Sequence, residues 1–242
     1  MANLYIGTSG WSYDHWGGVL YPPGTPAPRR LEIYTRQFDT VELNASFYRW
    51  PTDATFASWR RRLPDGFTMS VKAPRGLTHA RRLHAPEAWT ERIIRGCREL
   101  GERRAVVLVQ LDGRQTRDDA RLEYFLAGVP PWLRMTVELR HESWQTEPVY
   151  ELLERYRVAY CVMSGAGLPC VLKATSSFVY VRLHGPDRDA LYTGSYSDQD
   201  LRWWRDRLVE WRASGLDVYA YFNNDEHGHA VRNAFTLRAL CA

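Results

Sequence analysis

Five short β-like runs carry polar side chains at every second position. They are Thr40, Glu42 and Asn44; Thr68, Ser70 and Lys72; Thr136, Glu138 and Arg140; Tyr180, Arg182 and His184; and Tyr221, Asn223 and Asp225. Side chains alternate across a strand, so each set shares one face. The opposite face takes Val41 and Leu43, Met69 and Val71, Val137 and Leu139, Val181 and Leu183, and Ala220 and Phe222. If the C-terminal ends of these strands meet, then Glu42, Lys72, Glu138, Arg140, Arg182, His184 and Asp225 share one hollow with Thr8, Asn44, Gln110 and Asn223. Burying that many charges costs several kcal/mol each unless they are paired, so stability alone does not select the arrangement. Two uses fit it: an internal ion-pair network, or a site for a polar or anionic ligand. In the second, Lys72 and Arg182, helped by Arg140, neutralise ligand charge. Glu42 or Glu138 is then the base and His184 the acid, because an ordinary imidazole titrates near neutrality.

Composition sharpens the reading of Lys72. All but two of the 32 basic residues are Arg, the exceptions being Lys72 and Lys173. Where composition drifts toward Arg, a retained Lys can serve as a compact or titrating donor that a guanidinium cannot replace. The loops after the strands are aromatic, with Trp11, Tyr13 and Trp16, then Phe47, Tyr48 and Trp50, then Trp144, and finally Tyr192 and Tyr196. Such rings stack on sugars or bases, or else cap the strand ends as a small core. A divalent metal is compatible with this chemistry, but no ligand motif specifies one. His227-Gly228-His229 after Asp225-Glu226 lacks zinc spacing, and Gly7-Thr8-Ser9-Gly10 is not a nucleophile elbow. The four cysteines show no metal-binding spacing either.

Those residues need elements to hold them. Strands are predicted at 4–8, 40–44, 68–72, 105–111, 136–140, 158–163, 179–184 and 218–223. Helices are predicted at 29–38, 54–63, 86–100, 117–127, 147–156, 198–213 and 230–240. Thr116 with Asp119, and Ser197 with Asp200, resemble helix N-caps, while Gly101 and Gly215 sit where helices stop. Residues 164–177 read as loop. Eight strands, each followed by a helix except the sixth, predict an α/β chain forming a (β/α)8 TIM barrel as a single domain over 1–242. An open doubly wound sheet is the alternative, but its central strands would be apolar on both faces.

The 242 residues are 45% hydrophobic and 25% charged, which excludes a disordered or low-complexity chain. No run approaches the ~18 apolar residues of a membrane span. The first residues lack the pattern of a secretory leader, so a cytoplasmic location and no membrane partner are expected. The formal charge of +4 is too mild to imply nucleic acid by itself. The expected partner is a small anionic or sugar-like ligand, with nucleic acid as a further candidate, bound by a monomer or small homo-oligomer.

Several motifs together resemble the YecE-like proteins, domain-of-unknown-function family seventy-two. They include Ile6-Gly7-Thr8-Ser9-Gly10-Trp11-Ser12-Tyr13, Val41-Glu42-Leu43-Asn44 with Phe47-Tyr48, and Lys72-Ala73-Pro74 with Leu77-Thr78-His79. Val137-Glu138-Leu139-Arg140-His141 with Ser143-Trp144, Val181-Arg182-Leu183-His184-Gly185, Tyr192 with Gly194 and Tyr196, and Tyr221-Phe222-Asn223-Asn224-Asp225 complete them. The resemblance implies a TIM barrel and adds His79 to the ligand-binding candidates. It implies no established reaction. Likeness of that barrel to endonuclease-IV-like and xylose-isomerase-like barrels motivates a phosphodiester or phosphosugar substrate, and a hydrolase or lyase, by analogy of fold only. A sugar-active carboxylate pair and a non-catalytic binding protein are the competing expectations. Where the family usually shows an Asp after the sixth strand, this chain has Met163-Ser164-Gly165.

Overall fold

The computed structural model describes residues 2–242. The strands are β1 (Leu4–Thr8), β2 (Thr40–Leu43), β3 (Thr68–Lys72), β4 (Arg104–Gln110), β5 (Met135–Glu138), β6 (Ala159–Ser164), β7 (Phe178–Leu183) and β8 (Asp217–Phe222). The helices are α1 (Ala27–Tyr34), α2 (Asp53–Arg62), α3 (Glu87–Leu100), α4 (Asp119–Ala127), α5 (Glu147–Arg155), α6 (Asp198–Ala213) and α7 (His229–Cys241). The strand order is β1-β8-β7-β6-β5-β4-β3-β2, sequential around the sheet. With a helix after every strand but β6, the fold is that of a (β/α)8 TIM barrel.

Most elements fall within a residue or two of their predicted limits. One cap differs. Asp118, not Thr116, caps α4, because its side chain accepts from Arg121 N–H at 3.0 Å. Ser197 and Asp200 form a reciprocal capping box on α6. Gly101 ends α3 at φ +55°. A single π-turn, Gly76–Ala80, follows β3 and has no counterpart among the predicted elements.

The chain divides into two compact units. The first comprises the stretch ending at Glu42 with Val162–Cys170 and Phe178–Ala242. Here β8 pairs in parallel with both β1 and β7, from Leu4↔Val218 to Thr8↔Phe222 and from Phe178↔Asp217 to Leu183↔Phe222. β1 meets β2 through a parallel bridge, Ser9↔Glu42, and Gly10 N–H donates to Glu42 O at 2.8 Å. This approach demands glycine at position 7, since a Cβ there would lie 2.5 Å from Thr40 O. Both faces of β7 are buried, the apolar Val179, Val181 and Leu183 as well as the polar Tyr180 and Arg182. The sequence alternation therefore separates two interiors rather than core from water. On the polar side a hydroxyl ladder satisfies the buried groups. Thr40 Oγ1 bonds Tyr221 Oη at 2.7 Å, and Tyr34 Oη donates to Thr40 O at 3.0 Å.

The second unit comprises Leu43–Cys161 and Val171–Ser177. β3, β4, β5 and the start of β6 pair in parallel, with Lys72↔Leu108, Gln110↔Glu138 and Val137↔Tyr160 in register. β4 supplies a continuous apolar run, Val106 to Val109, buried on both faces. α3 buries Ile93, Cys97 and Leu100. The register carries Lys72, Gln110 and Glu138 to the C-terminal ends of adjacent strands, where barrel enzymes hold their chemistry.

Candidate functional site

In the first unit, Glu42 and Arg182 face each other with both side chains at 0% exposure. Arg182 Nε donates to Glu42 Oε2 at 3.0 Å and Nη2 to Oε1 at 2.7 Å, a two-pronged fit of guanidinium to carboxylate. Tyr180 Oη donates to Oε2 at 2.7 Å, and Ser9 Oγ donates to Oε1. Burial pushes the Glu42 carboxyl up, but the charge and hydrogen bonds of Arg182, with those of Ser9 and Tyr180, outweigh it and hold the group below the usual range. Tyr180 moves the other way. Burial and the neighbouring Glu42 charge hold its phenol well above its ordinary pKa, so it stays a donor. A carboxylate with four donors on two oxygens is an anchor rather than a proton acceptor. Arg182, expected to neutralise a ligand, spends its fork on Glu42.

His184 lies at the end of β7. Its Nδ1 accepts from Asn223 Nδ2 at 3.2 Å, and the Tyr192 ring meets it edge-on at 5.4 Å. Tyr192 holds φ +74°, outside the range most side chains adopt, and is 38% exposed. Tyr196 is buried; its Oη accepts from Gly185 N–H at 3.0 Å and donates to Ser164 Oγ at 3.0 Å. Thr8 is spent on the backbone, donating to Gly10 O at 2.8 Å and touching Tyr34 Oη. Trp11 is half-buried, and its carbonyl receives Tyr21 Oη. Asp225 lies 3.8 Å from His15 Nε2, and burial pushes its carboxyl up.

The second unit gathers a different set. Lys72 is only 6% exposed, and its Nζ stands 4.4 Å over the Phe47 ring. Phe47 also meets His79 edge-on at 4.9 Å and Tyr48 at 5.1 Å. Tyr48 itself is 73% exposed. Burial pushes the His79 imidazole down; Lys72, Arg140 and Arg75 push it further, and Asp112 opposes them. Arg140 Nε donates to Glu138 Oε1 at 2.6 Å. Asp112 accepts from Arg114 Nε, Nη2 and N–H at 2.9 to 3.0 Å, and these bonds hold its carboxyl far below its ordinary range. Asn44 directs a buried Oδ1 that receives no hydrogen bond among the described residues. Trp144 is 1% exposed and donates Nε1–H to Gln115 O at 2.7 Å, so this ring serves the core and offers no stacking face.

The structure thus joins Glu42 to Arg182, His184 to Asn223, and Lys72 to His79 through Phe47. Sequence reasoning did not single out Ser9, Arg75 or Asp112 as site residues. Ser9 was discoverable only as the residue beside Thr8 at a strand end, and Asp112 only as the first acid after β4. Among the described residues, no three His, Cys, Asp or Glu side chains gather to hold a metal ion, and no helix is long and apolar enough to cross a membrane.

Residues 5–242 match the family described as protein of unknown function DUF72. The chain is 28% identical to the UPF0759 protein YunF of Bacillus subtilis over 98% of its own length and 94% of that protein. It is 29% identical to the UPF0759 protein YecE of Escherichia coli over 58% of this chain and 50% of YecE. A crystal structure of a DUF72 family protein from Thermotoga maritima is 28% identical, superposes with a TM-score of 0.89 and is covered, like this chain, to 98%. One from Enterococcus faecalis, 18% identical, superposes with a TM-score of 0.84 over 98% of this chain and 95% of its own and carries the fold alone. A match over nearly the whole chain, with the barrel shared, makes this protein a member of the YecE-like DUF72 family.

Proposed function

We propose that this chain is an enzyme acting on an anionic, phosphate-bearing ligand held by Lys72, His79 and Arg140 at the C-terminal ends of β3 and β5. The observation that carries the reading is the gathering of like charge: Lys72, Arg75 and Arg140 all act on one half-buried imidazole, and the acid beside it, Asp112, is engaged by Arg114. Lys72 is buried, Arg140 half-buried beside Glu138 and Arg75 exposed, so an anion arriving from solvent would meet positive charge from all three. Cations near a phosphoryl oxygen stabilise the charge that develops on it. Hydrolase or lyase chemistry is the class this supports.

Calorimetric titration with inorganic phosphate and a simple phosphate monoester tests it. Lys72→Ala is expected to weaken binding by roughly 10-fold or more, the loss of one charge-assisted hydrogen bond. Arg60→Ala, at an exposed ion pair with Glu102 on α2, is expected to leave binding unchanged. Absence of binding to the unaltered protein, or full affinity in Lys72→Ala, overturns the proposal.

A further inference from the structure

Between α3 and α4 runs an open groove of about 410 Å³, lined by Ile94 on one side and by Tyr124, Ala127 and Gly128 on the other. Ile94 is half-buried, while Ala127 and Gly128 are exposed. Two exposed rings mark its ends along α3. Tyr124, 62% exposed, donates its hydroxyl to Glu87 Oε1 at 2.6 Å, at the start of α3. Trp132, 37% exposed, lies under Arg98 and Arg104, whose guanidinium carbons stand 5.6 and 4.7 Å from its ring centre, toward the end of α3. Arg104 is itself held by Cys97 O, which accepts from its Nη1 at 3.3 Å. Both rings are thus fixed in place with apolar area facing water. Single exposed apolar residues are ordinary, but a strip joining two rings through Ile94 and Ala127 marks an interaction surface.

The charges on this strip say what it fits. Glu91, Ile94 and Arg98 stand at i, i+3 and i+7, so they share one face of α3. Glu91 and Arg98 are both exposed, and neither forms an ion pair among the described residues. Seven residues of helix hold them about 10 Å apart along the axis, too far to meet within one chain. A strip acidic on one side of Ile94 and basic on the other matches itself when turned end for end. Two α3 helices set antiparallel across a two-fold axis beside Ile94 bring Glu91 of each copy opposite Arg98 of the other. Trp132, which lies under Arg98, then reaches the groove of the other copy. We propose that this face joins two copies of the chain as a symmetric dimer, with Glu91 and Arg98 paired twice across the axis. The apolar strip supplies most of the attraction and the charge pairs set the register, because exposed pairs contribute little by themselves. The contact uses no residue of the proposed phosphate site.

Sedimentation equilibrium of the full chain, over a range of protein concentrations, is expected to show a monomer–dimer equilibrium. Glu91→Arg and Arg98→Glu each place like charges opposite one another at both pairs, and each is expected to weaken self-association by roughly 10-fold or more. In an equimolar mixture of the two variants every facing pair is again of opposite sign, so a mixed dimer is expected with the affinity of the unaltered protein. A local effect of either substitution on its own helix does not produce that rescue, and rescue also shows that both variants fold. An unaltered protein that stays monomeric leaves the face to some other partner and overturns the proposal. Single variants that associate as well as the unaltered protein, or a mixture that stays monomeric, overturn it too. Should either variant not fold, Ala127→Arg, at an exposed position in the groove, is expected to abolish the dimer, and an undiminished dimer overturns the proposal.

Discussion

Replacing Arg182 by Met isolates the energetics of the buried pair in the first unit. The substitution keeps an unbranched apolar stem and removes, among others, two hydrogen bonds to Glu42 and a longer one to Ser9 Oγ at 3.4 Å. Glu42 is left fully buried with only Ser9 and Tyr180 as donors. Breaking one side of a buried ion pair costs about 3–5 kcal/mol. For a chain of this size each kcal/mol moves Tm by about 2–4 °C, so a fall of roughly 6–20 °C is expected. The pH dependence supplies the sharper check. In the unaltered protein the folded pKa of Glu42 lies below its ordinary value, so its stabilisation is present above the unfolded pKa and is lost as pH falls through the folded one. Without Arg182 the main lowering cause is gone and burial dominates. The folded pKa then lies above the unfolded one, and the variant gains stability as pH falls. The difference in Tm between the two proteins should therefore be large at pH 7 and shrink toward pH 4, as followed by scanning calorimetry. A fall below ~3 °C at pH 7, or a difference that does not narrow in acid, refutes the buried-pair account.

Two other substitutions probe neighbouring claims. Tyr180→Phe removes one hydrogen bond to the Glu42 carboxylate and should cost about 1.5–3 kcal/mol in urea unfolding; a loss below ~0.5 kcal/mol would mean that Arg182 and Ser9 suffice. Gly7→Ala forces a methyl against Thr40 O and should destabilise by about 1–3 kcal/mol, with Gly24→Ala, which meets nothing within 4 Å and bears only the strain of its own positive φ, losing less by the same assay.

The alternation of polar and apolar residues made both faces of the strands legible, because a period of two survives any error in strand limits. It also named Glu42 and Arg182 as members of one face. It did not pair them, since they stand 140 positions apart and pairing depends on the stagger of strands rather than on composition. The same limit hid the role of Trp144. A ring after a strand end looks alike in sequence whether it faces a ligand or turns inward to Gln115 O. The π-turn escaped for a local reason: a bond spanning five residues leaves no capping residue or periodicity to read, and Gly76-Leu77-Thr78-His79-Ala80 resembles ordinary loop. Asp118 displaced Thr116 as the α4 cap because the helix begins two residues later than predicted, which brings the Asp118 side chain onto Arg121 N–H.

The two charged clusters are built differently, and the proposed phosphate site rests on the second. In the first unit a lone carboxylate takes four donors, so further charge would have to displace a bond already made. Such a cluster ties β1, β2 and β7 together across the chain and resists change. In the second unit burial depresses the His79 imidazole, and Lys72, Arg140 and Arg75 add to that against Asp112, with Arg140 itself bonded to Glu138. Under the phosphate proposal, a bound anion would offset the cations' share of that depression. Binding a phosphate there should raise the His79 pKa, and by linkage the affinity for phosphate should strengthen as pH falls through the His79 titration. The first cluster, whose charges already answer one another, has no comparable reason to respond.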